Sequence, residues 1–370
     1  MSNESYTFSL AQESDDEQLR TLARNISFDG QIQISLHKEP NFFFAERVGT
    51  LSLDVLVVRN SNSGKIVGSA CRSSRKVFVN GEPREVGYLS GLKGYPEVRG
   101  GLLLARGYQE IKTLCRARGT PFCFTTIFSE NHYAKSTITS GRAGLPVYKH
   151  IGRLKTYVIN PDSSKRQRTD TSISVTRGSR EILDKIVDFV NTYNQQFQFA
   201  PYYSSLELAN GSMFPKFEPE HFYVAYAGEE IVGVIGIWDQ TTFKQTVVTG
   251  YTGTLSHIRQ NYNVYSAAAG APKLPDVNHL VPSFYVSFVA AKQKDPKILD
   301  LLLRAVCMDT KDQGRYLFLG LNEQDSLNEA LADFPTIVVD SEMYVVYWKD
   351  IEEGIPVLEG RMPHFEIATL

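Results

Sequence analysis

The chain carries one pattern twice. Gly64-Lys65-Ile66-Val67-Gly68 is echoed by Gly228-Glu229-Glu230-Ile231-Val232-Gly233. Around each copy the predicted elements come in one order: strand, helical region, antiparallel strands, helix, strand, short helix, strand. A repeated order of that kind suggests a duplication, two α/β units of one type. The length of 370 residues accommodates two domains of ordinary size. Residues 160–171 hold Pro, Ser, Lys, Arg, Thr and Asp with no aliphatic side chain, which reads as a linker. The expected division is therefore 1–160, a linker at 161–171, and 172–350 with an insertion at 239–280. A tail at 351–370 either pairs back onto a sheet or dangles.

Local signals give the elements. Alternation and apolar content predict strands at 6–10, 51–59, 65–79, 83–93, 122–128 and 153–159 in the first half. Asn80-Gly81 predicts a two-residue hairpin turn, because both turn positions need positive φ. Ser14 followed by Glu17 reads as a capping box for a helix bearing Leu19, Leu22, Ala23 and Ile26. The aromatic-rich stretch 28–49 is expected to hold a second, less regular helix. Leu104, Tyr108, Ile111 and Leu114 mark a helix over 99–116, stopped by Gly119. Asn131 opens a short one. The second half gives strands at 173–177, 222–226, 231–238, 282–290, 316–321 and 343–348. Its helices cover 181–193 and the stretch after the Asp295-Pro296 start. Ser326 and Glu329 form a second expected capping box.

Composition removes several function classes. Lys+Arg is 39 against Asp+Glu 41, a net charge of −2, so there is no electrostatic footprint for nucleic acid or an anionic membrane. No apolar run approaches the ~20 residues of a membrane span, and the first 16 residues are polar. Cys71, Cys115, Cys123 and Cys307 form no Cys-x-x-Cys pair and have no His at zinc-ligand spacing. No metal site is expected, and the compartment is expected to be reducing and cytoplasmic. P-loop, zinc-protease, nucleophile-elbow and EF-hand patterns are absent from the sequence.

The informative segment runs from Val86 to Leu102: strand, Gly94-Tyr95-Pro96, Arg99-Gly100-Gly101, then helix. The first N–H groups of a helix lack intrahelical partners, and the dipole there favours an anion. Glycines let a diphosphate approach the backbone, and Arg99 adds a charged donor. Strand, Pro, Arg-Gly and amphipathic helix after an Asn-Gly hairpin resembles the coenzyme-binding segment of the GNAT (N-acetyltransferase) superfamily. Asn131 with Ala134 resembles the family's Asn-x-x-Ala.

The resemblance implies two tandem GNAT-like domains, each a mostly antiparallel sheet flanked by helices. The second domain, matched by element order alone, would be degenerate. The implied activity is N-acyl transfer, with acetyl-CoA or another acyl-CoA as co-substrate and an amine acceptor, small molecule or peptide. In such tandems one domain holds the coenzyme and the other shapes the acceptor site. A splayed fourth strand would offer the main chain of Leu92 and Lys93 to the pantetheine arm. Arg99, Gly100, Gly101 and Leu102 would line the pyrophosphate, and Asn131 would lie near the bound coenzyme.

The family loop usually reads Gln/Arg-x-x-Gly-x-Gly/Ala. Counted from Arg99, its last two positions are Leu102 and Leu104, expected to crowd the phosphates. The family's tyrosine acid, seven residues after the Asn, falls on Ile138. Tyr148 and Tyr133 are the substitutes, and Glu46 is the candidate base on the acceptor side. In the insertion region Asp239, Gln240, Lys244 and Tyr251 are candidates for acceptor binding, against the alternative of a hydrogen-bonded cap over the sheet. Two other classes stay open: a scaffold that kept the fold without the chemistry, and transfer of an aminoacyl or long acyl group. The oligomeric state is not legible.

Overall fold

The computed structural model describes residues 5–99, 101–142, 144–163, 172–350 and 355–370. Gly100 and most of the expected linker lie outside the described residues. The first half runs β1 (Tyr6–Leu10), α1 (Asp16–Asn25), β2 (Ile32–His37), α2 (Phe42–Glu46), β3 (Ser52–Asn60), β4 (Ile66–Val79), β5 (Glu82–Gly94), α3 (Gly101–Ala117), β6 (Phe122–Phe128), α4 (His132–Ile138) and β7 (Val147–Ile159). The second runs β8 (Ile173–Arg177), α5 (Leu183–Asn194), α6 (Ser205–Asn210), β9 (Phe222–Ala227), β10 (Glu230–Trp238), β11 (Gln245–Tyr251), α7 (Gly253–Ala269), β12 (His279–Leu280), β13 (Ser283–Ala291), α8 (Pro296–Thr310), β14 (Tyr316–Asn322) and β15 (Thr336–Tyr347).

Turn and cap chemistry places these elements. Asn80 and Gly81 sit at φ 54° and 84°, so the β4–β5 hairpin turns where its sequence demands. Asn131 Oδ1 accepts from Ala134 N at 3.1 Å and starts α4. Asp295 Oδ1 accepts from Lys297 N at 2.9 Å, with Pro296 in the first turn of α8. Both expected capping boxes are corrected. A short 3-10 turn precedes α1, which moves the cap back to Gln12, whose N–H donates to Asp15 Oδ2 at 2.8 Å. In the second half Asp325, not Ser326, caps the turn through Leu327 N, and Ser326 Oγ donates to Lys294 O instead. The expected irregular helix over 28–49 is a strand, β2, followed by the five-residue α2.

The main sheet holds twelve strands in the order β1-β3-β4-β5-β6-β15-β7-β14-β13-β10-β9-β8 among the described residues. Its centre interleaves the halves. β15 lies between β6 and β7, and β7 pairs with β14. Each half is thus completed by the last strand of the other. The expected strand at 153–159 does close a sheet, but against the second half. The insertion does likewise on a smaller scale: β11 pairs with β12 and with β2 of the first half, giving a second, three-stranded sheet.

Strand parity sorts the layers. Val55, Val57 and Cys71 pack under α1 and α2, while Leu56, Leu89, Cys123 and Ile127 pack under α3. The core of the second half gathers α5, α8 and the aromatic group Phe217, Trp238 and Phe288. The tail does not dangle: Phe365, Ile367 and Ala368 are buried. Among the described residues no helix is long and apolar enough to cross a membrane.

Candidate active site

Two places in the main sheet open into wedges. β5 and β6 run parallel and pair only at Gly87 with Cys123 and Tyr88 with Phe124, after which they part. β13 and β14 do the same after Val286 and Leu319. The expected splayed strand is therefore present twice. Each splay sits beside a bulge. β4 and β5 slip between Ser69 and Cys71, and β10 and β13 slip between Val234 and Gly236. Aligning the two registers makes Phe288 the counterpart of Gly91. Both take left-handed conformations, φ 57° and 60°.

The two wedges differ in their contents. In the second, the chain's own residues 363–370 fill the space. Glu366 Oε2 accepts from Phe288 N at 3.0 Å, and Glu366 Oε1 accepts from Ala368 N at 3.1 Å. Ile367 fits where Gly320 has no side chain, since a Cβ there would sit 2.3 Å from Ile367 Cγ2. The first wedge instead opens into a cavity of about 500 Å³, inside the range of roughly 300–1,000 Å³ usual for ligand pockets.

That cavity passes through the wedge from one face of the sheet to the other. On the α3 side it is walled by Phe8, Leu56, Leu104, Tyr108, Ile138 and Tyr148. On the opposite side it lies between the two sheets, against alternate residues of β2, β11, β7, β15 and β14. Leu89 to Lys93 of β5 and Thr125 to Phe128 of β6 form the passage. Thr125 Oγ1 donates to Leu89 O across it at 2.7 Å.

Arg99 lines the cavity at the mouth beside α3, and a group of ionisable side chains lines the inter-sheet side. Glu46 meets Lys38 at 3.0 Å. Burial pushes the Glu46 carboxyl up, but Lys38, Lys244 and Arg75 outweigh it and hold the group below its ordinary value. Burial and the neighbouring Lys38 push Lys244 well down, and its Nζ donates to Leu370 O at 2.5 Å. Burial lowers Lys93 to about 8, with Lys38 adding to the shift. Its Nζ donates to Ala23 O and Ile26 O at the end of α1. On the α3 side, where Asn131, Tyr133 and Thr137 also line the cavity, the Tyr108 and Tyr148 hydroxyls are 2.6 Å apart. Burial raises Tyr108 to about 12 and Tyr148 well above its usual value, so both keep their protons.

Of the residues singled out from sequence, Glu46, Leu92, Lys93, Arg99, Asn131, Tyr133, Tyr148 and Lys244 line this one cavity. Gly101 stands at φ 60° at the start of α3 with open space beside it, and Gly100 falls outside the described residues. Arg99 Nε donates to Gly94 O at 3.0 Å, and its guanidinium lies over the Tyr133 ring, 5.8 Å from the centroid. The two leucines part at the start of α3. Leu102 is 84% exposed and points away, and Leu104 packs into the apolar cluster under α3.

Asp239, Gln240 and Tyr251 are not in the lining. Asp239 binds Arg315 at 2.6 Å and caps its own turn through Thr241. Gln240 Nε2 donates to Ala368 O at 2.8 Å and so fastens the tail. Tyr251 donates to Pro275 O at 2.6 Å.

Lys38, Gly91 and Tyr108 were not singled out from sequence. A glycine inside a strand signals a bulge, and Gly91 carried that signal. Tyr108 read as one of several apolar residues on a helix face. Lys38 gave none, because its partner Glu46 lies beyond an intervening turn.

No protein-family model matches the chain, and no curated protein matches it by sequence. Its fold has counterparts among solved structures. One is Saccharomyces cerevisiae N-myristoyltransferase with bound myristoyl-CoA, at 9% identity and a TM-score of 0.57 over 94% of this chain and 79% of that one. A second is an Enterococcus faecalis protein described as a probable N-acyltransferase, at 10% identity and a TM-score of 0.50 over 92% and 72%. A third is a GCN5-related N-acetyltransferase from Anabaena variabilis, with the same identity, TM-score and coverage. The fold is GNAT-like: a mixed α+β arrangement of mostly antiparallel strands flanked by helices.

Proposed function

We propose that this chain is an N-acyltransferase that takes its acyl group from a coenzyme A thioester, and that the acyl group is longer than acetyl. The observation that carries the second clause is the apolar space between α3 and the sheet. An acetyl group has no use for a cavity walled by Phe8, Leu56, Leu104 and Ile138, whereas burying methylenes there is favourable by about 0.8 kcal/mol each. The relatives in fold support acyl-CoA use: the yeast enzyme was solved with myristoyl-CoA bound.

The residues present fit such a donor. Gly101 leaves its side open and Arg99 is exposed beside it, so the start of α3 is accessible to a diphosphate. The pantetheine arm would run along Leu92 and Lys93 into the wedge, past Asn131. The second wedge supplies a template for the thioester carbonyl. There a carboxylate oxygen sits on the Phe288 N–H, so in the first wedge a carbonyl oxygen would sit on the Gly91 N–H. That donor strengthens its bond as the oxygen gains charge.

The amine nitrogen then attacks the thioester carbon and the C–S bond breaks. An amine that arrives as ammonium first gives up a proton to water; the neutral nitrogen then loses one proton and the thiolate gains one, giving amide and free thiol. Tyr148, protonated and paired with Tyr108, is the proposed donor to the thiolate, with Tyr133 at the mouth as the other phenol. Glu46, ionised beside Lys38, is the proposed acceptor-side carboxylate. Its low pKa suits attracting an ammonium group more than strong base catalysis. Acetyl transfer is the second reading, favoured by the likeness of 86–105 to the acetyltransferase loop.

Calorimetric titration with free CoA, acetyl-CoA, octanoyl-CoA and dodecanoyl-CoA tests both clauses. Affinity should rise with chain length, and Gly101→Trp should weaken every donor. Equal affinity for acetyl and dodecanoyl donors would return the choice to acetyl. No binding by any of them would sink the donor reading.

A further inference from the structure

The cavity has two sides, and only one is needed for an acyl chain. On the reading above, the apolar interior of the α3 side, past Arg99 at its mouth, takes the acyl group, because an alkyl chain has no use for ions. The inter-sheet side holds the ionisable groups and is left for the acceptor. Its walls are more informative than its charges. β2 presents Ile34 and Leu36, β11 presents Val248, β7 presents Val158, β15 presents Val339 and β14 presents Phe318, with the hydroxyl residues Thr246, Thr156 and Ser341 among them. These are alternate residues of five strands, all turned to one space. Register confirms that they share a face. Thr156 stands opposite Val339, and Phe318 stands opposite Val158, in neighbouring pairs of the main sheet.

We infer that the acceptor is a primary amine on an apolar body, an alkyl or aryl chain, held between the two sheets with its nitrogen at the wedge. Glu46 and Lys38 engage each other, and Lys244 is taken by Leu370 O, so the inner end carries few groups free to bind a second polar function. A polyamine or a lysine side chain with its amide flanks would leave charges and peptide groups against valine, leucine and phenylalanine. Such groups lose their water without gaining partners. An arylalkyl amine matches the predominantly apolar walls and brings one polar atom. The small sheet that forms the outer wall joins the insertion of one half to β2 of the other. The acceptor site thus exists only because the halves interlock.

The test is calorimetry of the full chain with 2-phenylethylamine and with spermidine, run beside dodecanoyl-CoA. The expected result is at least about tenfold tighter binding of 2-phenylethylamine, a factor that corresponds to ~1.4 kcal/mol. Val248→Thr, nearly unchanged in shape, and Ile34→Asn should both erase that preference while dodecanoyl-CoA binds as before. Val248→Thr keeps the test valid if Ile34→Asn fails to fold. Equal or tighter binding of spermidine overturns the inference. So does a preference that survives both variants. A protein that binds the apolar amine but no acyl-CoA would refute the donor reading and leave the apolar amine site standing.

Discussion

The two wedges are built alike and used differently. Each begins where a parallel pair parts, each has a bulge on the splaying strand itself, and each places a left-handed residue at the same register position. The difference is the residue there and what faces it. Gly91 opens on a cavity, whereas Phe288 puts its ring into the aromatic core and gives its N–H to Glu366 of the tail. Phe288 packs against Tyr203, Phe214, Phe217 and Phe222. A duplicated scaffold therefore carries one open wedge and one that its own tail has closed. The closed wedge adds aromatic core to the second half, and the open one leaves that volume for a ligand.

If that difference decides which wedge binds, copying it should transfer it. Gly91→Phe places in the first wedge the residue found in the second. Its Cβ would approach Cys71 Sγ to 3.1 Å, a tight contact that a small shift relieves. We expect donor binding to fall by two orders of magnitude or more, with a modest loss of stability of ~1 kcal/mol from the left-handed backbone. Unimpaired titration with dodecanoyl-CoA would break the comparison outright.

The closed wedge gives the next two expectations. Ile367→Ala removes the buried side chain seated on Gly320, at the edge of the open cavity, and should cost about 2–5 kcal/mol in denaturant unfolding. A loss below ~1 kcal/mol would mean the tail rests on the wedge without closing it. Glu366 adds a pH signature. Burial raises its carboxyl to about 7 against the Ala368 and Phe288 N–H groups and Arg75, which pull it down. A carboxyl raised in the folded state contributes stability while it keeps its proton. That contribution is complete below about 4.5 and is lost as pH rises through about 7. From pH 5 to pH 8 the wild type should lose on the order of 3 kcal/mol relative to Glu366→Gln. Parallel stability profiles for the two would remove Glu366 from this account.

Much of this was legible in the sequence where chemistry is local. The Asn80-Gly81 turn, the Asn131 and Asp295 caps and the strands at 6–10, 122–128 and 173–177 follow from side chains next to the backbone they serve. The segment 86–102 was marked by its glycines and its helix start. Interleaving was not legible, because β7 fits β14 and β15 through pairing across more than 150 residues, which period-two alternation cannot specify. β2 was misread as helical because its partner β11 lies in the insertion, more than 200 residues away. The cavity was invisible for a related reason. Its lining reads as ordinary core in every strand, and only the failure of two layers to meet makes it space. Asp239 and Tyr251 stood out because they are polar near a core strand, yet nearby backbone groups and Arg315 satisfy them.

The smallest expected effects lie at the mouth, where the two halves again differ. In the second half the loop after β13 is tied down, with Lys292 on Glu230 and Lys294 over the Phe197 ring. In the first, Arg99 rests on one carbonyl and one exposed ring. An exposed cation of this kind is screened by salt within about 10 Å at 0.1 M. Arg99→Ala should therefore weaken dodecanoyl-CoA binding only severalfold at low salt, and the deficit should shrink toward nothing at 1 M. Leu102→Ala, one turn away and pointing into solvent, should change neither binding nor stability beyond ~0.5 kcal/mol. A large effect at Leu102 with none at Arg99 would put the phosphates on the wrong side of α3. The likeness between this loop and a coenzyme site would then be one of sequence order alone.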